Sequence, residues 1–103
     1  MSFKNIAAQD FKKIQEENPN ARVLDVRTPA EVSQGKIPGA INLDVSDRSF
    51  VEDIHKLEKD KTYLLYCRSG ARSAQACGYM AQQEFSDLYN LSGGILGWPY
   101  DTE

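Results

Sequence analysis

The chain has 103 residues, 41% of them hydrophobic and 26% charged, with a formal charge of −3, which is room for one compact domain and is read as a single unit over 1–103. Acidic balance without a basic stripe excludes a nucleic-acid or anionic-membrane partner, and no apolar stretch approaches the ~20 residues of a membrane span. Met1-Ser2-Phe3-Lys4-Asn5 lacks the apolar core and small-residue cleavage site of a secretory leader, so the expected compartment is the cytoplasm.

In chain order, Phe3–Ile6 reads as a short edge strand, and Ala7, Phe11 and Ile14 share a helical face that Asn18-Pro19 stops. Val23-Leu24-Asp25-Val26 is a short, nearly unbroken apolar run, the pattern of a strand buried on both faces. Ala40–Leu43, Tyr63–Tyr66 and Leu88–Leu91 repeat it. Between them Phe50, Ile54 and Leu57 mark a helix behind Ser46-Asp47 as its N-cap, and Ala74, Cys77, Gly78, Ala81 and Phe85 mark another. Strand–helix alternation predicts an α/β fold, a parallel sheet with helices on both faces. Ligands bind beyond the carboxyl ends of such strands. Three clusters fall there: Asp25-Val26-Arg27, Cys67-Arg68-Ser69-Gly70 and Leu91-Ser92-Gly93-Gly94.

The segment Cys67-Arg68-Ser69-Gly70-Ala71-Arg72-Ser73 joins a buried strand directly to a helix. Such a junction offers free backbone N–H groups, and the helix dipole adds partial positive charge. Gly70 permits the backbone turn that lets the amides converge on an anion. Arg68 and Arg72 add two cations, and Ser69 and Ser73 two hydroxyl donors. A thiol at the floor of that cup should be held as thiolate, the nucleophilic form. The only histidine, His55, belongs to the middle helix and reads as a surface residue, so a Cys–His dyad is not expected and activation falls to amides and arginines. Arg72 has a second expected role, bracing the loop against Asp25. Cys77 reads as core filler. It would lie ~10 Å along the helix axis from Gly70, too far for a disulfide to Cys67, which needs Cα atoms within ~7 Å. Two cysteines and one histidine make no structural zinc site. Neither a metal nor a cofactor is expected.

These segments resemble the rhodanese family of single-domain sulfurtransferases. The Cys67–Ser73 loop is similar to the family's active-site loop. Val23-Leu24-Asp25-Val26-Arg27 with Glu31, Gly35-Lys36-Ile37-Pro38-Gly39-Ala40-Ile41-Asn42, and Gly93-Gly94-Ile95-Leu96-Gly97-Trp98 resemble its other signatures, in order over 23–98. The resemblance implies a five-stranded, mainly parallel sheet. It also implies transfer of a sulfane sulfur from thiosulfate or a similar anion, through a persulfide on Cys67, to cyanide, a thiol or a protein acceptor. By position it gives Cys67 the catalytic role and assigns Arg68, Ser69, Gly70, Ala71, Arg72 and Ser73 to the persulfide and donor anion. Asp25 and Arg27 become a buried polar pair under the loop, either a structural salt bridge or part of the chemistry. Trp98 either walls the site or covers the core.

Two departures bear on this. Lys36 stands where a histidine usually precedes Ile-Pro-Gly-Ala, at a position that looks structural. The loop lacks the Cys-Gly-Ser/Thr-Gly-Val-Thr pattern of mercaptopyruvate enzymes, and two arginines suit a dianionic donor better. Cysteine-dependent phosphatases and arsenate reductases are the rival enzyme class. Five residues separate cysteine from arginine in their loops, whereas four separate Cys67 from Arg72, a smaller cup. A non-catalytic docking module is the other alternative, and such modules usually lack the cysteine.

Overall fold

A computed structural model describes residues 2–103; Met1, where the N-terminal reading starts, lies outside the described residues. The elements are β1 (Lys4–Ile6), α1 (Ala8–Glu17), β2 (Ala21–Asp25), α2 (Pro29–Val32), β3 (Ile41–Asn42), α3 (Phe50–His55), β4 (Thr62–Tyr66), α4 (Ala71–Gln82), β5 (Leu88–Leu91) and a 3-10 turn over Ile95–Gly97. Among the described residues no helix is long and apolar enough to cross a membrane.

Five strands form one sheet in the order β1-β5-β4-β2-β3, and every pairing is parallel. Three of the four apolar runs become buried strands because both sheet faces are covered there, which selects continuous rather than alternating hydrophobicity, whereas the Ala40–Leu43 run forms only the edge strand β3, with Ile41 exposed. Along β4, Tyr63 and Leu65 point to one core with Leu24, Ile54, Ala76, Met80 and Phe85. Leu64 and Tyr66 point to the other, with Phe11, Val23, Ile37 and Leu91. The period of two along a strand sorts these residues between α3 and α4 on one side and α1 on the other.

Local chemistry departs from the expectations at three points. The predicted cap at Ser46-Asp47 is absent. Asp44 accepts from the Ser46 amide and Asp47 from the Ser49 amide, each at 2.9 Å, and these Asx turns compete with helix. The helix therefore starts at Phe50, and Leu57, placed on its face, follows its last turn while still packing on the core. In α4 the buried stripe is Ser73, Ala76, Cys77, Met80 and Ala81, a rotated version of the predicted one, with Ala74 and Gly78 only half-buried. Helix α2 was not anticipated. Thr28 caps it in a full capping box with Glu31, and Pro29 opens it, a signal legible as Thr-Pro-Ala-Glu.

Strands β2 and β4 are neighbours, yet the chain leaves them for opposite edges: β2 leads to β3, β4 to β5. That reversal is the switch point at which parallel sheets open a crevice. The loops bearing Arg27 and Cys67 flank it.

Candidate active site

The Cys67 side chain is 1% exposed at the carboxyl end of β4. The next residues turn sharply, because Gly70 adopts φ 105° as the N-cap of α4, a left-handed conformation that glycine takes without strain. The turn points the Gly70 N–H at Cys67 Sγ, 3.0 Å away. One helical turn on, the Ser73 hydroxyl lies 3.3 Å from the same sulfur and 3.3 Å from the Gly70 carbonyl; with one proton, it donates to one of them at a time. Burial pushes the Cys67 thiol up, but the Ser73 hydroxyl and the amides of Ser73, Gly70 and Ser69 outweigh it, and the net shift is downward. The groups that lower it are the Ser73 hydroxyl and the backbone amides, as expected for the amides; the expected contribution of Arg68 and Arg72 is not among them, since Arg72 is turned to Glu31.

The loop is held from below by β5 and the segment after it. Ile95 N–H donates to the Cys67 carbonyl at 3.0 Å, and Leu96 N–H to the Arg68 carbonyl at 3.1 Å. Gly94 packs so closely that a Cβ there would overlap the backbone of Arg68 and Ser69. The Asn90 amide, on β5, donates to the Gly70 carbonyl at 3.2 Å and to Asn5 of β1 at 2.9 Å. The sequence marks Gly93-Gly94 as a rim cluster and as part of the family resemblance but not as the support of the loop, and it gives Asn90 no site role, since one asparagine in an apolar strand carries no local signal of its partner.

The two loop arginines differ. Arg68 is exposed and has no ion-pair partner among the described residues. Arg72 lies in a bidentate pair with Glu31, both bonds at 2.8 Å. The expected brace from Arg72 to Asp25 is not formed, because Arg27 holds Asp25: its Nη2 lies 2.6 Å from Oδ2 and its Nε 2.9 Å from Oδ1. Tyr66 donates to Asp25 at 2.6 Å and accepts from the Ile37 amide, while Arg27 also donates to the Gly35 carbonyl. Asp25 and Arg27 are thus a buried, hydrogen-bonded pair tying the β2 loop to the Gly35–Ile37 segment, and each polar group in it has a partner, as burial requires.

Trp98 packs edge-on against Phe11 and Tyr100, at 5.7 and 5.1 Å between ring centroids, in the α1-side core. His55 is exposed beside Tyr79. Cys77 is fully buried, its thiol pushed up to about 12 by that burial, and both cysteines are free. A cleft of about 360 Å³ opens beside the loop between Arg27, Glu31, Gly35, Arg68, Leu96 and Thr102. A larger hollow of about 460 Å³ lies at the opposite end of the sheet, around Thr62 and Asp87, away from every group discussed above.

The rhodanese-like domain family matches residues 7–100. A sulfurtransferase of Allochromatium vinosum is 45% identical over 76 residues, 74% of this chain and 69% of its own. The thiosulfate sulfurtransferase GlpE of Pseudomonas paraeruginosa is 33% identical over 98% of this chain and 92% of its own. Among solved structures, a rhodanese-related protein from Thermoplasma volcanium aligns with a TM-score of 0.84 at 32% identity, covering 97% of both chains.

Proposed function

This chain belongs to the rhodanese family of single-domain proteins, with sulfurtransferases among its relatives, and from that premise we propose that Cys67 carries a sulfane sulfur from an anionic donor to a thiophilic acceptor. The observation that supports it is the convergence of the Gly70 amide and Ser73 hydroxyl on a buried sulfur with no histidine beside it. Such a cup lowers the thiol without a base and offers the same donors to the terminal sulfur of a persulfide, itself an anion.

The chemistry balances without a cofactor. The Cys67 thiolate attacks the outer sulfur of thiosulfate; a Cys–S–S bond forms, the donor's S–S bond breaks, and sulfite leaves with the electron pair. An acceptor then attacks the outer persulfide sulfur and restores the thiolate. Cyanide would give thiocyanate and a thiol a new persulfide; a protein acceptor is the third option. Arg68, the loop cation with no ion-pair partner among the described residues, draws the donor anion in, and the amides from Arg68 to Ser73 seat the sulfur. Asp25 and Arg27 hold the neighbouring loop in place. A cytoplasmic setting, where thiols stay reduced, suits this cycle.

The deciding experiment is mass spectrometry after incubation with thiosulfate. One added sulfur should map to the peptide containing Cys67. Cys67→Ser should lose adduct and turnover, and Cys77→Ser should keep both. Turnover persisting in Cys67→Ser would overturn the assignment.

A further inference from the structure

The mouth above Cys67 carries two arginines in sequence but, among the described residues, only one of them stands without an opposing carboxylate. Arg72 sits in the first turn of α4, its side chain 36% exposed and facing Glu31, which is 27% exposed. The two contacts of 2.8 Å make a fork-to-fork pair, the geometry in which a guanidinium is most fully engaged by a carboxylate. Glu31 does not swing in from a mobile position. Its Oε1 also accepts from the Thr28 amide and hydroxyl, both at 3.2 Å, so the capping box of α2 holds the carboxylate independently of Arg72. Across the cleft the buried cation Arg27 is matched by Asp25. Arg68 is left as the only loop cation with no carboxylate within ion-pair distance among the described residues.

We infer that Glu31 is a specificity-determining residue, whose carboxylate neutralises Arg72 and so disfavours doubly charged donors relative to singly charged ones, such as the persulfide of a small thiol. This rests on the sulfur-transfer reading for its substrate class, though the charge balance it describes belongs to the mouth itself. A cup with both arginines free would favour dianions. This one accepts thiosulfate through Arg68 alone, and Glu31 sets how strongly.

The test compares iodoacetate with iodoacetamide as alkylating agents for Cys67. In both, the thiolate sulfur displaces iodide, forming one S–C bond as one C–I bond breaks, so the ratio of rates isolates the reagent's charge. Glu31→Gln keeps an acceptor for Thr28 and removes the charge. It should raise the iodoacetate-to-iodoacetamide ratio by about three- to tenfold at low salt, an increase that shrinks as added salt screens it. Arg72→Gln should lower the ratio, and the double variant, with mouth charge restored, should return it to the wild-type value. Glu31→Asp, keeping the charge, should stay near wild type. In turnover, Glu31→Gln should lower the KM for thiosulfate with kcat little changed and should make inorganic sulfate a better competitor. A purely structural Glu31 would slow both reagents alike and leave the ratio fixed, which would overturn the inference while sulfur transfer stood. A ratio that moves as stated in a chain that takes sulfur from neither thiosulfate nor the persulfide of a small thiol would instead remove the sulfur-transfer reading and leave the charge gate standing.

Discussion

Two opposing influences meet at the Cys67 sulfur. Burial favours the neutral thiol, and the Ser73 hydroxyl with three amides favours the thiolate; the donors prevail because they are fixed by the turn and need no reorganisation. A thiol lowered in this way is more fully ionised at neutral pH, so its alkylation midpoint with iodoacetamide should fall below that of a free cysteine. Ser73→Ala removes one donor and keeps the turn, so the midpoint should rise and the alkylation rate at neutral pH fall about tenfold, the worth of one hydrogen bond to a charged atom. A midpoint that Ser73→Ala leaves unmoved would assign the activation to the amides alone. The donors were readable from the sequence because strand, glycine and helix start adjoin one another there. The opposite fates of Arg68 and Arg72 were not, since the partner of Arg72 lies 41 positions away and charge alone does not say which cation a distant carboxylate will take.

Elements position this site by backbone contact as much as by side chains. The segment after β5 supplies two amides to the carbonyls of Cys67 and Arg68, and it can approach that closely only where Gly94 has no side chain. At Gly94, φ is 60° and ψ −162°, a region open essentially to glycine. Gly93, also at positive φ, faces open space. The two glycines should therefore separate under substitution. Gly93→Ala should cost about 1 kcal/mol, the penalty of a left-handed alanine. Gly94→Ala adds a backbone overlap and should cost about 3 kcal/mol or more, lowering Tm and slowing alkylation of Cys67 by displacing the loop. Equal losses in a thermal-melt comparison would mean that this close approach does not hold the loop. In the sequence the Gly93-Gly94 pair announces a turn, but turn chemistry does not disclose which of two glycines lies against another strand's loop. The failed cap before α3 has the same character: Ser46-Asp47 is sound capping chemistry, and a second Asx turn at Asp47 used it first.

The architecture of the whole chain was legible to the extent that its strands are buried on both faces. Nearly unbroken apolar runs at Val23–Val26, Tyr63–Tyr66 and Leu88–Leu91 admit few readings other than a covered parallel sheet. The four-residue α2 falls below the length at which periodicity speaks, and β3 is legible as Ala40–Leu43 but forms over only Ile41–Asn42. Strand order, too, is invisible locally, yet it brings the Asp25–Arg27 and Cys67 loops to adjacent strand ends. At this scale charge becomes a property of the molecule. A net charge of −3 is spread over a body of 31 × 29 × 21 Å, so a dianion approaching in dilute salt meets general repulsion as well as the local pull of Arg68. The Debye length is ~30 Å at 0.01 M salt and ~10 Å at 0.1 M, so rising salt screens the distant repulsion first and the contact with Arg68 last. If Arg68 dominates once the anion is seated, the KM for thiosulfate should rise with ionic strength in the wild type, because the attraction at contact is the larger effect. Arg68→Ala removes that attraction and leaves the body one charge more negative. Its KM should start severalfold higher, by about the 1 kcal/mol or so of a partly exposed charge contact, and should fall as salt is added. Opposite salt slopes in the two proteins, measured as KM against ionic strength at constant pH, are the signature of a local cation working against an acidic surface. Parallel slopes would show that Arg68 does not touch the donor, and that the cup amides alone seat it.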